Sequence, residues 1–161
     1  MSIVAITAVF SLALYLLGAY VIYRLGLAWL AAYLIYIFLL EIRLIKGHCV
    51  DCYYYGKYCA FGRGKISCLF FKKGDSKRFV KKQISWKDIV PDFLVAIIPI
   101  IAGIWLLLNR FDWLLLAILV VLFLLMSIGN AWVRGSLACK YCKQRQLGCL
   151  AERLFKKKEI S

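Results

Sequence analysis

Seven cysteines are the residues of this 161-residue chain best suited to chemistry. Cys49, Cys52, Cys59 and Cys68 lie in one polar stretch, and Cys139, Cys142 and Cys149 lie in another. One spacing occurs twice, as Cys49-x2-Cys52-x6-Cys59 and Cys139-x2-Cys142-x6-Cys149, and Cys139 follows Cys49 by 90 residues. A Cys-x2-Cys turn lets two thiolates converge on one metal ion. Two such turns, brought together, supply Cys49, Cys52, Cys139 and Cys142, the donor set for tetrahedral zinc or an iron–sulfur cluster. Alternatively each triplet closes its own site. Cys68 then completes the first, and a fourth ligand such as His48, the single histidine, completes the second.

The same thiols could do other work. Paired cysteines at a membrane surface can exchange electrons with a quinone or a soluble thiol partner. The chain would then be a membrane thiol–disulfide oxidoreductase using Cys49/Cys52 and Cys139/Cys142. Inert cysteines usually stand singly in apolar surroundings, whereas these sit among Tyr, Lys and Gly. Metal or cluster binding is therefore the leading expectation, thiol redox the second and inert structure the third. A further alternative is an accessory subunit whose basic face docks a larger membrane complex. The cations Lys57, Arg63, Lys65, Lys140, Lys143 and Arg145 are expected around the thiols, where positive charge favours thiolate. The bacterial ferredoxin run Cys-x2-Cys-x2-Cys-x3-Cys-Pro is not matched. With one histidine and no paired carboxylates in the polar parts, hydrolase and glycosidase chemistry is a poor fit, and no catalytic residue is assigned outside the redox alternative.

Something must hold these thiols in place. The chain is 64% hydrophobic and 16% aromatic, yet carries a net charge of +14. A soluble domain averages roughly 45–50% apolar, and a disordered basic tail would be poor in aromatics. The two properties are reconciled if apolar residues and charges are segregated along a membrane chain. Four runs are long enough to cross a bilayer, about 3–23, 25–45, 89–108 and 113–133, each near the roughly 20 residues a helix needs. Links of a few residues, around Arg24 and around Arg110, make each pair an antiparallel hairpin.

An even number of crossings puts the N-terminus, the loop 46–88 and the tail 134–161 on one side. The loop holds eleven Lys/Arg and three Asp, a net +8, and the tail eight Lys/Arg and two Glu, a net +6. That face carries the whole net charge, so the positive-inside rule makes it cytoplasmic in a multi-pass protein of the cell membrane. Structural disulfides are disfavoured in that compartment, and would be the default if the face were extracytoplasmic. Trp86 and Trp132 mark one interface, and Trp29, Trp105 and Trp113 the other. The first helix lacks the basic start of a signal peptide.

The expected fold class is an all-α integral membrane protein of two parallel repeats, each a helical hairpin ending in a cysteine triplet. Repeat one is 1–88 and repeat two 89–161. Phe71-Lys72-Lys73 and Phe155-Lys156-Lys157 follow the two triplets.

Other features have plain expectations. Pro99 kinks the third helix, and Gly18, Ala19, Ala102 and Gly103 allow close helix approach. Glu41 and Arg43 snorkel to the interface. No central charge marks a transport route. Gly62-Arg63-Gly64-Lys65 is read as a turn that sends the chain back toward Cys68, rather than as a phosphate cradle. Tyr53, Tyr54, Tyr55 and Tyr58 shield the site or sit at headgroup level. The segment 77–84 lies on anionic lipid headgroups, which explains the charge without nucleic acid, and Ser85 to Asp88 caps the third helix.

Overall fold

The computed structural model describes residues 3–75, 86–133, 137 and 142–146, with 86–89, 145 and 146 described by backbone alone. Among the described residues every regular element is helical. Helix α1 is Ile3–Tyr23, α2 Leu27–Leu44, α3 Arg63–Phe70, α4 Trp86–Asn109, α5 Trp113–Leu124 and α6 Lys143–Gln146. Three helices have the length and composition to cross a membrane: Ile3–Tyr23, Leu27–Cys49 and Val90–Asn109. The fourth apolar helix, Trp113–Gly129, is shorter by that measure, although helical backbone continues through π turns over 113–133. The outward faces are apolar, with Leu27, Phe38, Leu108 and Trp113 among the exposed side chains. Such a surface belongs in lipid rather than water. Trp29, Trp105, Trp113 and Trp132 are likewise exposed.

Both hairpin links are closed by short-range bonds. Gly26 takes a left-handed φ of 131° at the first link, where Leu25 and Gly26 amides donate to Ile22 and Tyr23 carbonyls. At the second, the Asp112 side chain caps α5 by accepting from the Leu114 amide at 2.9 Å. The guanidinium of Arg24 reaches Asp112 at 3.0 Å, so both links lie at one end of the molecule.

The core forms where α1, α4 and α5 meet, around Val21, Ala96, Leu115, Leu119 and Leu122. A second cluster, Ile22, Tyr33 and Ile37, joins α1 to α2. Pro99 explains much of the packing between α2 and α4. It has no N–H, so the helix cannot supply the usual donor to the carbonyl four residues earlier. That carbonyl is Val95, and the Tyr33 hydroxyl of α2 donates to it at 2.8 Å. An orphaned carbonyl in lipid costs several kcal/mol, so the tyrosine repairs the gap left by the proline. Gly18 provides the space: a Cβ there would strike the Tyr33 hydroxyl and lie 3.3 Å from the Pro99 ring. A Cβ on Gly103 would collide with Leu119, and Ala19 and Ala102 pack on the second cluster. The expectation that these small residues serve packing matches this arrangement.

Two segments widen to π geometry. Ile45–Cys49 continues α2, with Val50 N–H donating five residues back to Ile45 at 3.2 Å. Leu125–Gly129 continues α5, where Ser127 Oγ donates back to the Phe123 carbonyl at 2.7 Å. Such π turns recur at functional sites.

Candidate functional site

The first cysteines stand where α2 leaves its apolar run. Cys49 closes the π turn, together with His48, and both are half-buried. The chain then turns, with Cys52 N–H donating to the Cys49 carbonyl at 3.4 Å and Tyr55 N–H to Cys52 at 3.0 Å. Cys49 lies within electrostatic reach of Cys59, Cys52, Arg63 and Glu41. Cys49, Cys52 and Cys59 therefore share one neighbourhood at the end of α2.

Three tethers hold this loop against the helices. The buried Thr7 hydroxyl of α1 donates to the Ala60 carbonyl, next to Cys59. Arg63 pairs with the Glu41 carboxylate of α2 at 2.5 Å, and the same oxygen accepts from the Tyr15 hydroxyl of α1 at 2.5 Å. Gly64 is buried so tightly that a Cβ would strike the Tyr54 and Lys57 carbonyls, and its own carbonyl accepts from Gly56 N–H at 2.9 Å. Gly62, at φ 70°, uses the left-handed conformation to enter α3.

Two expectations are corrected here. Glu41 does not snorkel outward; it is the shared acceptor that joins α1, α2 and the start of α3. Nor do all the nearby cations face thiols. Lys57 Nζ lies 4.6 Å from the Tyr53 ring centroid, and Lys65 Nζ lies 4.8 Å from that of Tyr58. Both pairings satisfy the ammonium against a ring face. The Tyr58 hydroxyl accepts from Lys65 at 2.9 Å, and this hydrogen bond raises the lysine's pKa. Arg63 is the cation beside Cys49. Burial works against its charge, but Glu41 and Tyr15 outweigh that, so its pKa stands above the usual value. Gly62-Arg63-Gly64-Lys65 is thus a turn, as expected, with its arginine already engaged by a carboxylate.

Cys68 stands apart from the triplet. It is exposed on α3, its thiol donates to the Lys65 carbonyl at 3.2 Å, and its sulfur faces Gly56. The tyrosines divide the work. The Tyr55 hydroxyl donates to the Phe71 carbonyl at 2.7 Å, closing the loop on itself, while Tyr58 is exposed.

The second triplet is described at Cys142, half-buried immediately before α6. Cys139, Cys149, Lys140 and most of the tail lie outside the described residues, as do the 77–84 segment and Ser85. Short α6 docks on the first triplet's turn. Gln144 is 4% exposed, and its Oε1 accepts from Tyr53 N–H at 2.9 Å and from the Cys52 thiol at 3.8 Å. The amide of Lys143 donates to the Tyr54 hydroxyl at 3.1 Å. Sequence reasoning missed Gln144 and this use of Tyr54. The repeat offers one signal, since Gln144 follows Cys142 by the same interval as Tyr54 follows Cys52.

Among the described residues no disulfide joins Cys49, Cys52, Cys59, Cys68 or Cys142. Among the described residues no three His, Cys, Asp or Glu side chains converge as a metal cage. No family model, curated protein or solved structure matches this chain. The residues and their arrangement alone bear on function.

Proposed function

We propose that this chain is a four-span membrane protein whose two cysteine triplets build one metal centre, of zinc or iron–sulfur type, on the cytoplasmic face. The observation that carries this reading is the docking of α6 on the Cys52–Tyr54 turn through Gln144 and Lys143. It puts residues that follow Cys142 against residues that follow Cys52, one contact between the two cysteine segments, although Cys49, Cys52 and Cys142 do not converge as a cage among the described residues. Cys49, Cys52, Cys139 and Cys142 would hold the metal, with Cys59 and Cys149 beside them and His48 and Cys68 as further candidates. Zinc would staple the two halves together, whereas a cluster would supply one-electron transfer.

Two features support the parallel repeat. Arg24 and Asp112 bring both hairpin links to one end, opposite the cysteines. Residue 137, ninety positions after Gly47 of the first π turn, is also in π geometry. The face is assigned as cytoplasmic by its concentration of Lys and Arg.

Anaerobic purification of the full chain, metal analysis and an absorption spectrum test the proposal. Stoichiometric zinc supports the staple, and iron with sulfide and visible absorption supports a cluster. Replacing Cys52 and Cys142 by Ser should remove the metal in either case. A metal-free protein whose thiols titrate reversibly in pairs would sink it.

That last result would favour the second reading, a thiol–disulfide oxidoreductase. Its support is the nearness of Cys49 to Cys52 and Cys59, the thiols a disulfide would join. Two thiols would release two electrons and two protons as one disulfide forms, with a quinone or a partner disulfide taking them up.

A further inference from the structure

The eight residues of α3 present two unlike faces. Gly64 and Ser67 are buried, one turn apart, and Gly64 rests on the carbonyls of the 54–57 turn. The opposite side is apolar and bare: Leu69 is 77% exposed, Phe70 71% and Ile66 47%. At helical spacing 66, 69 and 70 share one stripe. Lys65 flanks the stripe, and exposed Lys72 and Lys73 follow it directly. Such a pattern is costly in water, where these three side chains would leave a contiguous apolar patch.

The anchors of α3 show what can cover it. Thr7 lies a full turn inside α1 and binds the Ala60 carbonyl. Glu41 binds Arg63, the first residue of α3, from a position eight residues before Cys49, where the apolar span Leu27–Cys49 ends. Ile3–Tyr23 is likewise apolar enough to span a membrane. The start of α3 is thus tied to both spans within about two turns of their cysteine-side ends, close to where acyl chains give way to headgroups. Its packed side is taken by the polar 54–57 turn, so its bare side faces away from that turn. Three lysines beside the stripe carry the charge that complements anionic headgroups.

We infer that α3 is an interfacial helix that binds an anionic lipid bilayer, with Ile66, Leu69 and Phe70 seated among acyl chains and Lys65, Lys72 and Lys73 on lipid phosphates. The loop bearing Cys49, Cys52 and Cys59 is then clamped from two sides, by the spans through Thr7 and Glu41 and by lipid through α3.

A spin label carried by p-acetylphenylalanine at position 69 leaves every cysteine untouched and occupies an exposed site. The full chain would be reconstituted into phosphatidylcholine vesicles with and without phosphatidylglycerol. Accessibility to oxygen and to a water-soluble nickel chelate would be read by power saturation. Oxygen should dominate at position 69 and nickel at a control label at position 57. Phosphatidylglycerol should deepen the label at 69, and that gain should vanish when Lys65, Lys72 and Lys73 are all replaced by Gln. Equal nickel access at 69 and 57 would overturn the inference, because α3 would then lie in water. Exclusion of both reagents from 69 would also overturn it, showing that a second copy of the chain covers the stripe.

Discussion

An arginine–carboxylate pair stands at each end of this molecule. At the link end, Arg24 and Asp112 meet across the surface, with side chains 41% and 31% exposed. At the cysteine end, Arg63 and Glu41 meet with side chains 20% and 26% exposed, and Tyr15 binds the same carboxylate oxygen. The first pair joins two hairpin links that are already fixed by their own turn bonds. The second holds a long loop, which has little regular structure, onto two helices. Exposed pairs contribute little to stability because water and salt screen them, whereas breaking a buried pair strands a charge. The same chemistry is ornamental at one end and structural at the other.

The contrast can be broken most severely at Gly64. Any side chain there must displace the Tyr54 and Lys57 carbonyls, so Gly64→Val should cost about 3 kcal/mol or more, in the range of severe overpacking. Thermal unfolding in detergent micelles would register the loss, and thiol-reactive dyes should then reach Cys49 quickly in the native state. Unchanged labelling would show that the loop is held without this contact.

Arg63→Met comes next. It leaves the Glu41 carboxylate half-buried without its cation while Tyr15 still donates to it, at a cost of about 2–3 kcal/mol, discounted from the fully buried case for partial exposure. Adding Glu41→Gln should recover part of that loss, and the double-mutant cycle reads the coupling directly. Additive effects would mean that the two residues act separately and that the ends do not differ as described.

A smaller effect is expected at the tail. Gln144→Ala leaves the Tyr53 amide without its acceptor and should cost about 1 kcal/mol. The clearer readout is local: hydrogen exchange at Tyr53 should accelerate, and the tail should become easier to proteolyse. An unaltered Tyr53 amide would show that α6 does not depend on this contact.

The smallest change belongs to Asp112→Asn. The Leu114 amide first, and then Arg24, hold the Asp112 carboxyl below its usual pKa. A depressed carboxylate adds stability that is present above the ordinary Asp range, about pH 4, and is lost as pH falls through the lowered value. Wild type and variant should therefore differ slightly near neutrality, differ less in salt, and converge in acid. A difference that grew on acidification would reverse the assigned sign.

The spans were legible in the sequence because lipid demands long apolar runs and permits few exceptions. Helix Ile3–Tyr23 falls on the first apolar run, and the small residues at Gly18 and Gly103 fill the packing role expected of them. The fourth apolar run departs from its expected form because π turns interrupt it from Leu125 onward. Polar partnerships were less legible. Charge counting placed six cations near the thiols, but it cannot tell a lysine that faces sulfur from one that lies over a tyrosine ring. The Glu41–Arg63 bond joins residues 22 positions apart across the cysteine turn, and no helical period announces such a meeting. The Gln144–Tyr53 bond spans 91 positions and rests on a loop geometry that spacing alone leaves open.

The broken rung at Pro99 bears on how the protein is made. Its repair comes from Tyr33, 62 residues upstream of the Val95 carbonyl that needs a donor. Translation delivers the earlier hairpin first, so the hydroxyl is already made when the proline-bearing helix leaves the ribosome. The earlier hairpin then serves the later helix as a built-in chaperone, and a circular permutant that delivered α4 before α2 would have to insert that helix with its carbonyl bare.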